Sequence, residues 1–90
     1  MIHIISYTLH SPGRDYSSLH EAIRSLSGSW WHHTTSVWLV DTSLSAQQIY
    51  DRLAPHLDRN DELIVFGLTR EWWGRIDDQE GLTWLRGRTF

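Results

Sequence analysis

Apolar and polar positions change period along the chain, and each change marks an element. From Ile2 to Leu9 most residues are β-branched or aromatic, and the run stops at Ser11-Pro12-Gly13, which predicts a strand and a turn. Leu19, Ala22, Ile23 and Leu26 then recur at helical spacing and form one apolar stripe. Asp15 is placed to cap that helix, and Gly28 to stop it in a left-handed conformation. Trp, Thr and Val dominate Ser29 to Val40. The run is long for one strand and reads as two antiparallel strands, near 29–33 and 36–41, around a tight turn at Thr34-Thr35 without Gly or Asn. Ser45 and Gln48 have capping-box spacing, and Ala46, Ile49, Leu53 and Leu57 form a second helical stripe that Pro55 should end near its last turn. After the polar turn Asp58-Arg59-Asn60-Asp61, the apolar run Leu63 to Leu68 fits a central strand. Between Arg70 and Phe90, Asp77 or Asp78 is placed to cap a short helix carrying Leu82, Trp84 and Leu85.

The order β-α-β-β-α-β, with right-handed crossovers, interlocks two β-α-β units into a four-stranded antiparallel sheet. The expected fold is α+β: one ferredoxin-like βαββαβ domain over residues 1–90, with a short C-terminal extension. Both helices then lie on one face of the sheet. The other face is apolar as well, since Ile2 and Ile4 point away from Ile5 and Leu9, and Ile64 and Phe66 away from Val65. Two apolar faces and one helical layer require a second cover. A homodimer through that sheet face is the expectation, and the C-terminal segment is the alternative cover.

Composition sharpens this picture. Hydrophobic residues make up 40% and charged residues 21%, which suits a globular chain rather than a disordered one. The net charge is −3, so nucleic acid bound through diffuse charge is disfavoured and any such site must be local. There is no lysine; all eight basic residues are Arg, the better residue for flat, bidentate contacts to phosphate or carboxylate. Six Trp in 90 residues exceed ordinary usage. The absence of Cys excludes disulfides, thiolate metal sites and a Cys nucleophile. No apolar stretch is long enough to span a membrane, and Met1 to Ser6 has no leader pattern, so a soluble cytoplasmic protein is expected.

Several strings carry a resemblance: Ile4-Ile5-Ser6-Tyr7-Thr8-Leu9, Pro12-Gly13-Arg14-Asp15-Tyr16, Ser36-Val37-Trp38-Leu39-Val40, and Leu57 through Val65. Together they resemble the short SinR-like proteins, which in turn are similar to the small ferredoxin-like CRISPR-associated endoribonucleases and to VapD-like toxins. The resemblance spans residues 2–70. It implies the same fold, a dimer, and a site at the end of the first strand, where the nuclease relatives carry an Asp that faces its dimer copy and holds a divalent metal. Here Tyr7 is followed by Thr8, a neutral hydroxyl and a poor magnesium ligand beside a carboxylate. The group on which metal-dependent cleavage rests is replaced, so neither metal nor other cofactor is expected.

Three constellations can carry chemistry. The first is the loop from His10 to Ser17, which opens a helix and so suits an anion: Arg14 offers a fork for phosphate, Tyr16 a ring for a base, and His10 a proton carrier near neutral pH, the one catalytic candidate. Its plain alternative is an ordinary β-α connection. In the second, Trp30-Trp31-His32-His33, alternation puts Trp30 and His32 on one side, as a stacking face or as core packing. Ser36, just beyond the hairpin, lacks a nearby base and is a ligand contact rather than a nucleophile. The third is Arg70-Glu71-Trp72-Trp73-Gly74-Arg75, where Trp72, Trp73 and Arg75 either grip a nucleotide or latch the C-terminal segment to the sheet. Asp58, Asp61 and Glu62 read as a solvated turn that caps a strand, and His20 and Arg24 as outward residues of the first helix.

Three functions remain open at this point. The leading one is a dimeric module that binds RNA, single-stranded DNA or a nucleotide. A metal-independent endoribonuclease or toxin, with His10 as acid or base, is the second. A protein-interaction subunit, such as an antitoxin or regulator, is the third.

Overall fold

The two helical stripes and the strands meet where their apolar sides require. The computed structural model describes residues 1–10, 15–88 and 90. Strands β1 (Ile2–Thr8), β2 (Trp30–Thr34), β3 (Val37–Asp41) and β4 (Glu62–Gly67) form one antiparallel sheet in the order β2-β3-β1-β4. Helices α1 (Ser17–Arg24) and α2 (Ala46–Leu53) pack on one side, α2 running into a 3-10 turn over Ala54–His56 at Pro55. A third helix, α3 (Gln79–Arg86), lies against the other side.

Register sets the core. Ile5 lies opposite Trp38 on β3 and Val65 on β4, so these side chains point together toward the helices. Ile5, Leu19, Ile23, Trp38, Ile49 and Leu53 are fully buried there. Each such aliphatic side chain contributes roughly 1.5–3 kcal/mol of transfer free energy before entropy is counted. The capping box at Ser45 and Gln48 closes at both hydrogen bonds, 3.1 and 2.9 Å.

Local differences from the sequence reading have physical causes. The first residue outside α1 is Tyr16 rather than Asp15; the Asp15 carboxylate still accepts from the Ser17 N–H at 2.9 Å. Helix α1 ends at Arg24 through a right-handed Ser25, because Leu26 must turn back into the core, and Gly28 adopts no left-handed conformation. Without a Gly in the hairpin turn, the register shifts between His32 and Thr34, and the turn falls on Thr35-Ser36. The apolar run of β4 is an edge strand, not a central one: Leu63 and Val65 pack on the helix side, while Ile64 and Phe66 stay 52% and 51% exposed.

Of the two covers expected for the second face, the chain's own C-terminal segment supplies much of one. Trp31 is the anchor. Its indole N–H donates to the Asp78 carboxylate at 2.8 Å, and the other Asp78 oxygen caps α3 at the Gly81 N–H, 2.9 Å. The ring lies so close to α3 that a Cβ at Gly81 would fall inside it. Ile2, Leu39 and Leu85 are buried behind this contact. Trp84 stands 6.2 Å from Trp31 by ring centroids, and Arg88 crosses the Trp84 ring at 5.0 Å while hydrogen-bonding Ser29. Among the described residues no helix is long and apolar enough to cross a membrane.

Candidate functional site

Charge divides along the C-terminal segment. The Leu68 N–H bonds the Ile2 carbonyl at 2.8 Å, which carries the chain over the second face, and Trp72 then packs half-buried against it. Helix α3 runs back with Asp78 and Glu80 at its start and Arg86 and Arg88 at its end. The basic end borders an open cleft of about 410 Å³ lined by Arg70, Trp72, Leu85, Arg86, Arg88 and Phe90. Arg88 is committed to the fold: it bonds the Trp84 carbonyl and Ser29, and sits 3.8 Å from Asp41. Arg70 and Arg86 have no ion pair among the described residues. The cleft therefore offers two uncommitted guanidinium groups beside aromatic faces, a local positive site on a chain of net charge −3. Next to it Trp73 is 98% exposed, while Arg75, also exposed, does not line the cleft.

A second constellation was not legible as such in the sequence. Tyr7 of β1 is buried on the helix-covered side, where Trp38 Nε1–H donates to its hydroxyl at 3.1 Å. That hydroxyl donates its only proton to the Thr35 carbonyl at 2.8 Å. His20 Nε2, 3.2 Å away, must then be the donor to Tyr7. His32 Nε2 lies 3.4 Å from the same Thr35 carbonyl, which can only accept. Both imidazoles thus share one tautomer, and neither Nδ1 has a partner among the described residues. His32 stacks on Trp38 at 3.7 Å and 11°, with His20 5.9 Å from it. The Arg24 guanidinium crosses Trp38 and Trp30 at 5.6 and 5.8 Å and pairs with Glu21 at 2.8 Å. Burial first, then His32 and Arg24, hold His20 below the ordinary histidine value, against Asp15. Burial raises Tyr7, partly offset by the Trp38 hydrogen bond, so the phenol keeps its proton.

His20 and Arg24 therefore do not merely face outward; the bulged hairpin brings Thr35 and His32 over them. Helical periodicity places residues on a face but cannot say which strand edge that face meets.

The remaining candidates disperse. Arg14 lies outside the described residues. Tyr16 is tied down: its hydroxyl donates to Asp61 at 2.8 Å, and the same carboxylate accepts from the N–H groups of His10 and Asp58 at 2.7 and 2.8 Å. The acidic turn thus joins the start of α1 to the start of β4. His10 is exposed, with Nε2 3.6 Å from Glu62, and no second histidine adjoins it among the described residues. Thr8 is exposed opposite Glu62, where an open cleft of about 390 Å³ has no cation in its lining. Ser36 contributes through its backbone carbonyl, which accepts from the Tyr7 N–H at 3.1 Å.

No family model matches the chain, nor does any curated protein or solved structure. Among the described residues no three His, Asp or Glu side chains gather as a metal site.

Proposed function

We propose that this protein is a ferredoxin-like, homodimeric module that binds single-stranded nucleic acid in the arginine-lined cleft. The observation that carries the reading is the convergence of Arg70 and Arg86 with Trp72 and Phe90 around one opening. Guanidinium groups engage phosphates, and aromatic faces stack bases at about 1–3 kcal/mol per base. Strand order β2-β3-β1-β4 with α1 and α2 on one side supports the ferredoxin-like part. The half-exposed Ile64 and Phe66, on an edge strand without Lys or Pro, support a second copy as their cover. The resemblance to SinR-like proteins is in keeping with a small nucleic-acid-linked dimer. Fluorescence anisotropy with labelled single-stranded RNA and DNA tests the binding; saturable binding that weakens steeply with salt is expected, and no binding at low salt contradicts it. Sedimentation of wild type and Phe66→Glu tests the dimer, with a lone wild-type protomer at micromolar concentration as the contrary result.

The tautomer-locked pair His20 and His32 favours a second reading, metal-independent RNA cleavage. His20 Nδ1 takes the 2′-hydroxyl proton, the 2′-oxygen bonds phosphorus, the P–O5′ bond breaks, and the leaving oxygen takes up a proton by way of His32. Arg24 faces the phosphorane charge. RNA cut in EDTA, with DNA intact and the products lost in His32→Ala, supports this reading; uncut RNA removes it.

A further inference from the structure

Between the sheet and the C-terminal segment lies a second space, of about 230 Å³, lined almost wholly by apolar groups. Ile4 and Leu39 form its floor, Leu82 and Leu85 one wall, and Trp72 and Trp73 another. Among the described residues no side chain fills it. It is a groove open on one side, and apolar surface of this kind gains when an apolar solute covers it. A nucleobase or sugar suits it poorly, because their hydrogen-bonding edges would be buried without partners. The space is therefore not a continuation of the strand-binding cleft in chemical terms.

One side of it is not apolar. Trp72, Trp73, Gly74 and Leu82 also border an adjoining opening whose remaining lining residue is Arg86. Arg86 is exposed and has no ion pair among the described residues. The Trp73 indole stands at the same rim with almost its whole surface in solvent. A body that entered the chamber would cover this indole and bring a charged end to the guanidinium, where a carboxylate fits bidentately.

We infer that the chamber binds a small amphipathic carboxylate, aromatic or branched aliphatic, with its apolar part against Leu39, Leu85 and the paired indoles and its carboxylate on Arg86. Arg86 also borders the arginine-lined cleft, so carboxylate and nucleic acid draw on one cation. The inference does not depend on nucleic-acid binding.

The test is calorimetry of the full chain with 4-phenylbutyrate, with its uncharged amide, and with inorganic phosphate. Saturable binding of the carboxylate is expected, roughly tenfold weaker for the amide, with no comparable binding of phosphate. Arg86→Ala should reduce the carboxylate to the level of the amide. Leu82→Trp should fill the chamber and abolish both; if that variant loses its circular-dichroism signature, Arg86→Ala alone decides. Absence of binding by the wild type, equal binding of amide and carboxylate, or an unchanged Arg86→Ala overturns the inference. Oligonucleotide binding without carboxylate binding would leave the proposed function standing and remove this inference alone.

Discussion

The two faces of the sheet are closed by different means. Toward α1 and α2, aliphatic side chains interlock to full burial around Trp38, and a polar network there runs from Trp38 through the Tyr7 hydroxyl to the Thr35 carbonyl. Toward the C-terminal segment, aromatic rings do the covering; Trp31, Trp72, Trp84 and Phe90 are only partly buried. Large flat rings on a twisted sheet leave gaps, and the gaps are where the clefts lie. The first face holds the larger aliphatic core, while the second carries Arg70, Arg86 and the almost fully exposed Trp73. Local stability should follow the same division.

Breaking the helix-covered face should have the largest effect. Trp38→Ala removes a fully buried ring, the donor to Tyr7 and the platform under His32, and should cost about 3–5 kcal/mol in denaturant unfolding. Gly81→Ala strikes the other face. The new methyl must displace the Trp31 indole, so about 1–3 kcal/mol should be lost. Hydrogen exchange should rise in residues 70–88 and remain slow in β1 and β3. Equal loosening of both faces would deny the distinction.

Arg70→Ala and Arg86→Ala touch neither face's packing. Stability should stay within about 0.5 kcal/mol, while affinity for single-stranded nucleic acid falls roughly tenfold in each. The smallest effects are those of pH, and they separate the faces. His3 is buried with Nδ1 unpartnered among the described residues; burial first and the N-terminal ammonium second lower its pKa, as burial lowers that of His20. A lowered folded value means that their contribution is complete above the unfolded 6.5 and is lost as pH falls through the folded values. Asp78 is lowered by the Gly81 N–H and then by Trp31, so its contribution holds above 3.8 and disappears only below it. Near-ultraviolet circular dichroism between pH 7 and pH 5 should therefore respond in wild type and less in His20→Gln. Asp78→Asn should leave that range unchanged.

Periodicity and capping chemistry made the strands, both helices over the core and the Ser45 box legible, because each is a local pattern. The tail helix was legible too, with its cap narrowed to Asp77 or Asp78, of which Asp78 serves. Its place over the sheet was one of two covers the pattern allowed; the bond that fixes it, from Trp31 to a carboxylate 47 residues away, is not local. The same limit hid the histidine pair, since His20 and His32 lie on different elements and meet only once the hairpin bulges. Arg70 and Trp72 were readable as a motif, whereas Arg86, Arg88 and Phe90 join them only through the return of α3.

The most direct test of the central claim is hydrogen–deuterium exchange on the full chain with and without saturating single-stranded RNA. The account predicts new protection in peptides containing Arg70 to Trp73 and Arg86 to Phe90, with β1 and β3 unchanged. Protection confined to the α1–β2 edge or to β4, with the C-terminal segment exchanging as freely as before, would contradict it.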